Sequence, residues 1–470
     1  MASWLEAALN YIDLWLDFHL QKANQPGCVV AVVQGGKLVH EKAIGVANVS
    51  DNTPLTARHL FRVASHSKTV AATAVLKLQE QGALRLSDAV GNYVTGLHPN
   101  VAAATIEQLL THSAGLARDG MDSSYFADRR PFLSIQELME ELRKPPTISA
   151  GRRGKYSNYG YALLGIVIEN VTKQRYADWI TREILQPLHL NEMLVDYESS
   201  LTSCAQGHTS ALPDVDNHNS RRFVIPGTNI TNTMASVTGL VSSAADLARF
   251  FSQLSPAAKS SLLSKESRVK MQSTTVQDQD SMLAIAYGLG VQVGKIGDWN
   301  YVGNVGRFQG FVSRTVVLTD VDIAVALLIN AIDGPEIQWL DDIVHIFQQF
   351  HRYGPGYKFA RHWLGRWWNL WGARDFVPLG DQVYMVNPMQ RPPFAEASVI
   401  TLDSPDAGTI TQAPMMDAYG ETVERLKNDS GTTTAIRVGG AYFASEKQSR
   451  EYALSHYGQE NNTNPTIVGG

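Results

Sequence analysis

Ser65 and Lys68 stand three residues apart at the head of a run of small and apolar residues, Thr69 to Leu78, that closes at Gly82. Residues at that spacing share a helix face, so one helix is expected to present a hydroxyl and an amine side by side. The approach, Phe61-Arg62-Val63-Ala64, is mostly apolar, and the run reads as a buried helix. A serine hydroxyl is a poor nucleophile until a base takes its proton, and a lysine whose pKa falls on burial can be that base. The amino-terminal end of a helix also favours negative charge developing at Ser65.

The spacing alone decides little, because it recurs at Ser267-Arg268-Val269-Lys270. There the setting, Leu263 to Met271, is a charged helical pattern, and it reads as a solvated face. His66 points away from the face shared by Ser65 and Lys68, which fits packing or surface.

At 470 residues the chain is too long for one ordinary core and long enough for an enzyme domain plus a smaller module. A formal charge of −5 without a long basic run argues against nucleic acid and for a small-molecule or peptide partner. Cys28 and Cys204 have neither metal-ligand nor redox spacing and read as small core residues. Glu6, Asp13 and Asp17 interrupt the apolar amino terminus, which reads as an amphipathic packing helix and as neither signal nor membrane span. The expected address is cytoplasmic, or periplasmic if a signal peptide has been removed.

Cys28 to Gln34 followed by Gly35-Gly36 and Lys37 to Ala43 is a hairpin signal. From Ser65 to Ile285 the pattern is mostly helical: Ile106 to Leu110, Ile135 to Leu142, Tyr159 to Val171 and Asp246 to Leu254. Strand signals resume at Tyr287 to Val293, Phe311 to Leu318 and Ile323 to Ile329, so a sheet is expected from both ends of this region with helices inserted between. Beyond Tyr353-Gly354-Pro355-Gly356 a Trp-rich segment, Trp363 to Gly372, precedes short strand-like runs at Gln382 to Val386, Ser398 to Leu402, Glu421 to Leu426 and Thr434 to Val438. Their regular turns suggest a small barrel or sandwich, with the tryptophans filling its core.

Two further groups carry chemistry. Tyr156-Ser157-Asn158 follows the turn Gly151 to Gly154 and precedes a helix. A phenol near a lysine ammonium is drawn towards its charged form, so Tyr156 is able to take the Ser65 proton and return one to a leaving group. Gly303-Asn304-Val305-Gly306-Arg307-Phe308 enters a strand in which small residues let backbone approach a substrate. His112 beside Ser113 invites a triad, yet it closes a helix ahead of Gly115 and reads as a turn element. Gly-x-Ser-x-Gly and His-Glu-x-x-His motifs do not occur, and the glycines of Gly288 to Gly294 lack the surroundings of a nucleotide loop.

The order and spacing of these groups resemble the penicillin-recognising serine hydrolases, in the branch of class C beta-lactamases, D-aminopeptidases, D-amino-acid amidases and related esterases. The likeness runs from about Gly27 to Asn330 and includes Leu109 to Leu116 and Gly239 to Leu247. It implies an acyl-enzyme on Ser65, with Lys68 and Tyr156 sharing the proton transfers and Asn158 bonded to Lys68 or to the substrate amide. It implies an oxyanion hole from the backbone N–H groups of Ser65 and Arg307, with Asn304, Gly306 and Arg307 lining the substrate. One departure is Asn304, where the family usually has lysine or histidine; Arg307, Arg152, Arg153 and Lys155 are candidates to replace that cation, although the last three read first as solvated loop residues. Segment Ala117 to Phe132, with Asp119, Tyr125, Asp128, Arg129 and Arg130, is expected along the pocket. The carboxy-terminal module resembles the lipocalin-like barrel of some D-aminopeptidase-type members, through Gly420 to Leu426 and Val438-Gly439-Gly440.

The resemblance thus implies an α+β fold: a beta-lactamase/transpeptidase-like domain over 1–352, with an antiparallel sheet flanked by helices and a helical subdomain, then an all-β barrel over 357–458; the tail over 459–470, rich in Asn, Thr and Gly, reads as disordered. The expected activity is hydrolysis of amide or peptide bonds in small peptides, including linear peptides with D or non-standard residues such as those from opened cyclic peptides. Carboxylesterase, beta-lactamase and a non-catalytic peptide-binding pseudo-enzyme are the alternatives. No cofactor and no metal are implied, and partners are a small peptide, amide or ester, without nucleic acid or membrane; a homo-oligomer is left open, with the barrel either closing the cleft or meeting a neighbouring subunit.

Overall fold

The structure is a computed structural model that describes residues 2–213, 220–277, 279–280 and 285–458. The tail expected to be disordered from Gln459 lies outside the described residues. Two compact units are present, Asp17–Leu340 and Met1–Leu16 with the chain from Asp341 on. The division falls within α1 (Ser3–Lys22) and α8 (Glu336–Tyr353).

The first unit is built on a nine-stranded sheet. Its strands are β1 (Gly27–Gln34), β2 (Lys37–Asn48), β3 (Thr53–Pro54), β4 (Val276–Gln277), β5 (Ala286–Tyr287), β6 (Gln292–Ile296), β7 (Trp299–Phe308), β8 (Phe311–Leu318) and β9 (Ile323–Ile329), in the order β4-β5-β6-β7-β8-β9-β1-β2-β3. The junction of the two chain ends is the antiparallel pair β1–β9, with Val29 opposite Leu328 and Val33 opposite Ala324. Both strands are near-continuous aliphatic runs because both faces are covered, and α6 (Ala244–Ser252) packs on them. Each Val, Leu or Ile buried this fully contributes roughly 1.5–3 kcal/mol. The sheet expected from both ends of the region is therefore the one observed.

Between β3 and β4 lie α2 (His66–Glu80), α3 (Ile106–Leu110), α4 (Ile135–Leu142), α5 (Asn158–Thr172), α6 and α7 (Lys265–Ser273). Thr105 with Gln108, and Ser134 with Glu137, form reciprocal capping boxes at α3 and α4. Two-residue strands such as Val241–Ser242 and Val224–Ile225 also interrupt this region, which is less purely helical than its pattern. The strand expected over Tyr287 to Val293 is two strands, because Gly288 N–H bonds the Val291 carbonyl and Gly290 turns at φ +79°. At Gly290 a Cβ would lie 2.3 Å from the Ala72 methyl, so this turn is pressed against α2.

The second unit holds a closed barrel: β10 (Gly365–Asn369), β11 (Gly372–Leu379), β12 (Gln382–Val386), β13 (Ser398–Leu402), β14 (Ala407–Gln412), β15 (Thr422–Lys427), β16 (Thr433–Val438) and β17 (Ala441–Ala444), sealed by Trp368 opposite Ala444. Trp363, Phe376, Ile400, Ile410 and Ile436 fill it. The tryptophan cluster does not fill the core as a group: Trp363 is buried, but Trp371 is 87% exposed because it lies in the β10–β11 turn, outside both strands. Asp375 is buried between the Arg366 guanidinium, at 2.7 Å to each carboxylate oxygen, and the Tyr11 hydroxyl at 3.0 Å. No helix among the described residues is long and apolar enough to cross a membrane.

Candidate active site

Ser65 caps the amino terminus of α2, immediately after Ala64, which sits in the left-handed region at φ +49°. That conformation is unfavourable for alanine by about 1–2 kcal/mol, and the surroundings hold it. Ser67 Oγ donates to the Ala64 carbonyl at 2.7 Å and accepts from Leu240 N–H at 2.9 Å, while Val63 N–H bonds the Leu240 carbonyl. The elbow is thus tied to the segment carrying Val237 and Thr238, which packs on α2.

Lys68 is fully buried on α2, with Nζ 3.1 Å from Ser65 Oγ and 3.0 Å from the Val237 carbonyl. Burial pushes its pKa below that of an ordinary amine, opposed by Tyr156. Tyr156 Oη lies 3.0 Å from Ser65 Oγ, and its ring centroid is 5.0 Å from Lys68 Nζ. The three residues singled out from the sequence therefore converge on one oxygen. His66 is packed inside, with Nδ1 2.8 Å from the Val63 carbonyl; burial lowers its pKa to about 4. The second copy of the spacing is not a solvated face. Ser267 and Arg268 are both buried, because Ser267 N–H bonds the helix cap Ser264 and the Arg268 guanidinium bonds the Ser255 and Ala258 carbonyls.

Asn158 opens α5 behind its cap Ser157. Its amide does not reach Lys68; Nδ2 donates to Asp119 Oδ1 at 2.7 Å, and Asp119 also pairs with Arg118 at 3.2 Å. The glycine strand is β7, beside Ser65. A Cβ on Gly306 would stand 2.1 Å from the Val63 carbonyl and 2.9 Å from His66 Nδ1, so only glycine lets this strand close on the elbow.

Asn304 is buried and does not line the cleft, contrary to the expectation for the head of this motif. Its Nδ2 donates to Thr69 Oγ1 at 2.9 Å and its Oδ1 accepts from Val305 N–H, so the side chain is consumed between β7 and α2. Arg307 instead reaches the cleft with 60% of its side chain exposed, held by Nη2 at 3.0 Å from Oε1 of the fully buried Glu336. Arg152, Arg153 and Lys155 are not among the lining residues, and Lys155 Nζ bonds the Leu116 carbonyl.

The cleft is about 870 Å³. Its walls include Ser65, Tyr156, Asn158, Arg118, Thr238 and Arg307. Of the segment expected along it, Asp119 and Asp128 line the wall, Tyr125 is buried behind, and Arg130 pairs with Asp122 and Glu137. Sequence reasoning missed Thr238, whose buried Oγ1 has no hydrogen-bond partner among the described residues, while Arg118 falls in the expected segment without having been singled out and brings its guanidinium to 5.2 Å from the Tyr156 ring centroid. Among the described residues no group of three His, Cys, Asp or Glu side chains could hold a metal ion.

Residues 15–339 match the family described as Beta-lactamase. The chain belongs to the beta-lactamase family. This family member is similar to Protein flp of Staphylococcus aureus (strain COL), at 34% identity over 186 residues, which is 38% of this chain and 36% of that protein. The match thus spans little more than a third of the curated relative's length. In fold it is similar to the octameric penicillin-binding protein homologue from Pyrococcus abyssi (TM-score 0.64, 22% identity, 93% of this chain and 99% of that one). The D-amino acid amidase from Ochrobactrum anthropi SV3 shares the fold over 73% of this chain and 99% of its own, with TM-score 0.62 and 21% identity. The first unit accordingly has the beta-lactamase/transpeptidase-like serine-hydrolase fold expected from the sequence, and the barrel is a separate addition to it.

Proposed function

We propose that this protein hydrolyses amide bonds of short peptides through an acyl-enzyme on Ser65. The observation that carries the reading is the placement of Lys68 Nζ and Tyr156 Oη at 3.1 and 3.0 Å from one serine oxygen. Neutral Lys68 or the Tyr156 phenolate takes the Oγ proton as oxygen attacks the carbonyl carbon. The carbon–nitrogen bond then breaks, the amine leaves with a proton returned by the same pair, and water hydrolyses the resulting ester by the reverse transfers. The backbone N–H groups of Ser65 and Arg307 are the oxyanion donors in this scheme.

Arg307 supplies the cation that Asn304 lacks, and its place on the cleft wall supports a substrate with a free carboxylate. The preference for amides, D-residues included, over esters and beta-lactams is carried over to this chain from the D-amino acid amidase of similar fold, and fragments of opened cyclic peptides belong to the same proposal. The octameric state of the Pyrococcus abyssi homologue supports a homo-oligomer, which native mass spectrometry tests. For the chemistry, intact-mass spectrometry after fluorophosphonate treatment is the test, alongside matched L- and D-peptide amides and esters. Stoichiometric labelling lost in Ser65→Ala and amide turnover above background are expected. A folded wild type that takes no label would instead make this a binding protein, and turnover of the ester alone would make it an esterase.

A further inference from the structure

His112 does more than close a turn. It is buried at φ +57°, directly after α3, and its contacts converge on the three residues around the phenol. Its carbonyl accepts from Lys155 N–H at 2.7 Å. Its Nδ1 accepts from Ser157 N–H at 3.1 Å. Its ring packs on the Tyr156 ring itself, centroid to centroid 4.2 Å at a 35° tilt. Backbone on both sides of Tyr156 and the phenol ring are thus all held by one residue. Tyr287 at 4.5 Å and Tyr161 at 5.0 Å close around the imidazole, whose Nε2 is buried without a hydrogen-bond partner among the described residues.

We propose that His112 is the positioning residue for Tyr156: it clamps the Lys155–Ser157 turn and the phenol ring, and so fixes Tyr156 Oη against Ser65 Oγ. The inference rests on the reading of Tyr156 as a proton-transfer group. An Nδ1 that accepts from backbone places the imidazole proton on Nε2 and requires the neutral ring. The surroundings agree, because burial, Lys68 and Arg118 all hold the His112 pKa well below its ordinary value, and the remaining titratable neighbours are the phenols of Tyr156, Tyr161 and Tyr287. A charged imidazole here would repel Lys68 and release Ser157 N–H. The geometry matters for rate because a misplacement of about 1 Å can cost about 100-fold.

A double-mutant cycle on the labelling rate of Ser65 by a fluorophosphonate tests this without a known substrate. His112→Ala removes ring and acceptor, His112→Phe keeps a ring without the acceptor, and His112→Asn keeps an acceptor and tolerates the left-handed backbone. Each is made alone and with Tyr156→Phe, and rates are taken per folded molecule from circular dichroism. Expected is a fall of roughly 10- to 100-fold for His112→Ala, partial recovery in His112→Asn, and little further loss once Tyr156 is Phe. Equal losses in both backgrounds would overturn the clamp and leave His112 a fold residue. If His112→Ala does not fold, the Phe and Asn variants decide the same comparison. Tyr156→Phe labelling at the wild-type rate would sink the role of Tyr156 itself, a result distinct from additivity.

Discussion

Asn304 Nδ2 donates to Thr69 Oγ1 at 2.9 Å, so the first residue of the third motif is bonded to the helix that carries Ser65 and Lys68. A side chain spent on that contact presents nothing to a substrate. The cation nearest in sequence that does reach the cleft is Arg307, anchored on Glu336.

Arg307→Met is therefore expected to change selectivity. The ratio of kcat/KM for a peptide acid over the matching peptide amide should fall by about 10-fold or more, the range for a lost charged hydrogen bond. Steady-state kinetics on the two substrates checks it, and an unchanged ratio would place the carboxylate elsewhere or show that none is read.

Lys68 sets a pH dependence whose sign follows from its burial. Its pKa lies below 10.5 in the folded protein, so it sheds its proton and becomes a base at a lower pH than an exposed lysine. The kcat/KM should rise with pH along a limb whose midpoint is below 10.5. Lys68→Ala should lose that limb and about 10²- to 10⁴-fold in rate.

Gly306→Ala is expected to be severe for so small a change. Its methyl would meet the Val63 backbone carbonyl at 2.1 Å, an atom that no rotamer change can move aside, so β7 must move away from the Ser65 elbow. Overpacking of this kind costs roughly 1–3 kcal/mol, and the displaced strand carries Arg307. Denaturant unfolding with parallel labelling of Ser65 should show both losses.

His66 makes the fold acid-sensitive. Its folded pKa of about 4 lies below the 6.5 of an ordinary imidazole, so between those pH values the unfolded chain binds the extra proton. Stability is therefore full above about 6.5 and falls as pH drops towards 4, by on the order of 3 kcal/mol. Unfolding midpoints of wild type and His66→Gln across this window should converge at low pH if the imidazole is responsible.

In the second unit, Asp375→Asn or Arg366→Met leaves a buried polar partner uncompensated. Removing one member of such a pair costs about 3–5 kcal/mol. Thermal unfolding should show this, whereas Trp371→Ser, at an exposed turn, should leave the midpoint unchanged.

Much of the architecture was legible because it rests on periodicities. Phe311–Leu318, Ile323–Ile329, Gln382–Val386 and Ser398–Leu402 are strands with the bounds their sequence patterns suggest. Periodicity failed where a distant element imposed the geometry, as at Gly288–Val291, turned by its contact with α2. It also failed at Arg268, whose guanidinium is drawn in by the carbonyls of Ser255 and Ala258. Charge and polarity mark a side chain as able to face water, and its bonding partners decide whether it does.

The sequence by itself determined which atoms can share a face: three-residue spacing on a helix commits Ser65 and Lys68 to one another before any other contact forms. It also determined the aliphatic runs that must be covered on both faces, and with them the sheet made from the two ends of the region. Only the tertiary structure decided that Tyr156 reaches Ser65, that His112 grips Tyr156, that Asn158 turns to Asp119 and that Arg307 rather than Asn304 meets the cleft. Those relations join residues tens to hundreds of positions apart. Local propensity carries no information about them, because each is set by where packed helices and strands bring polar groups that must find partners once water is excluded.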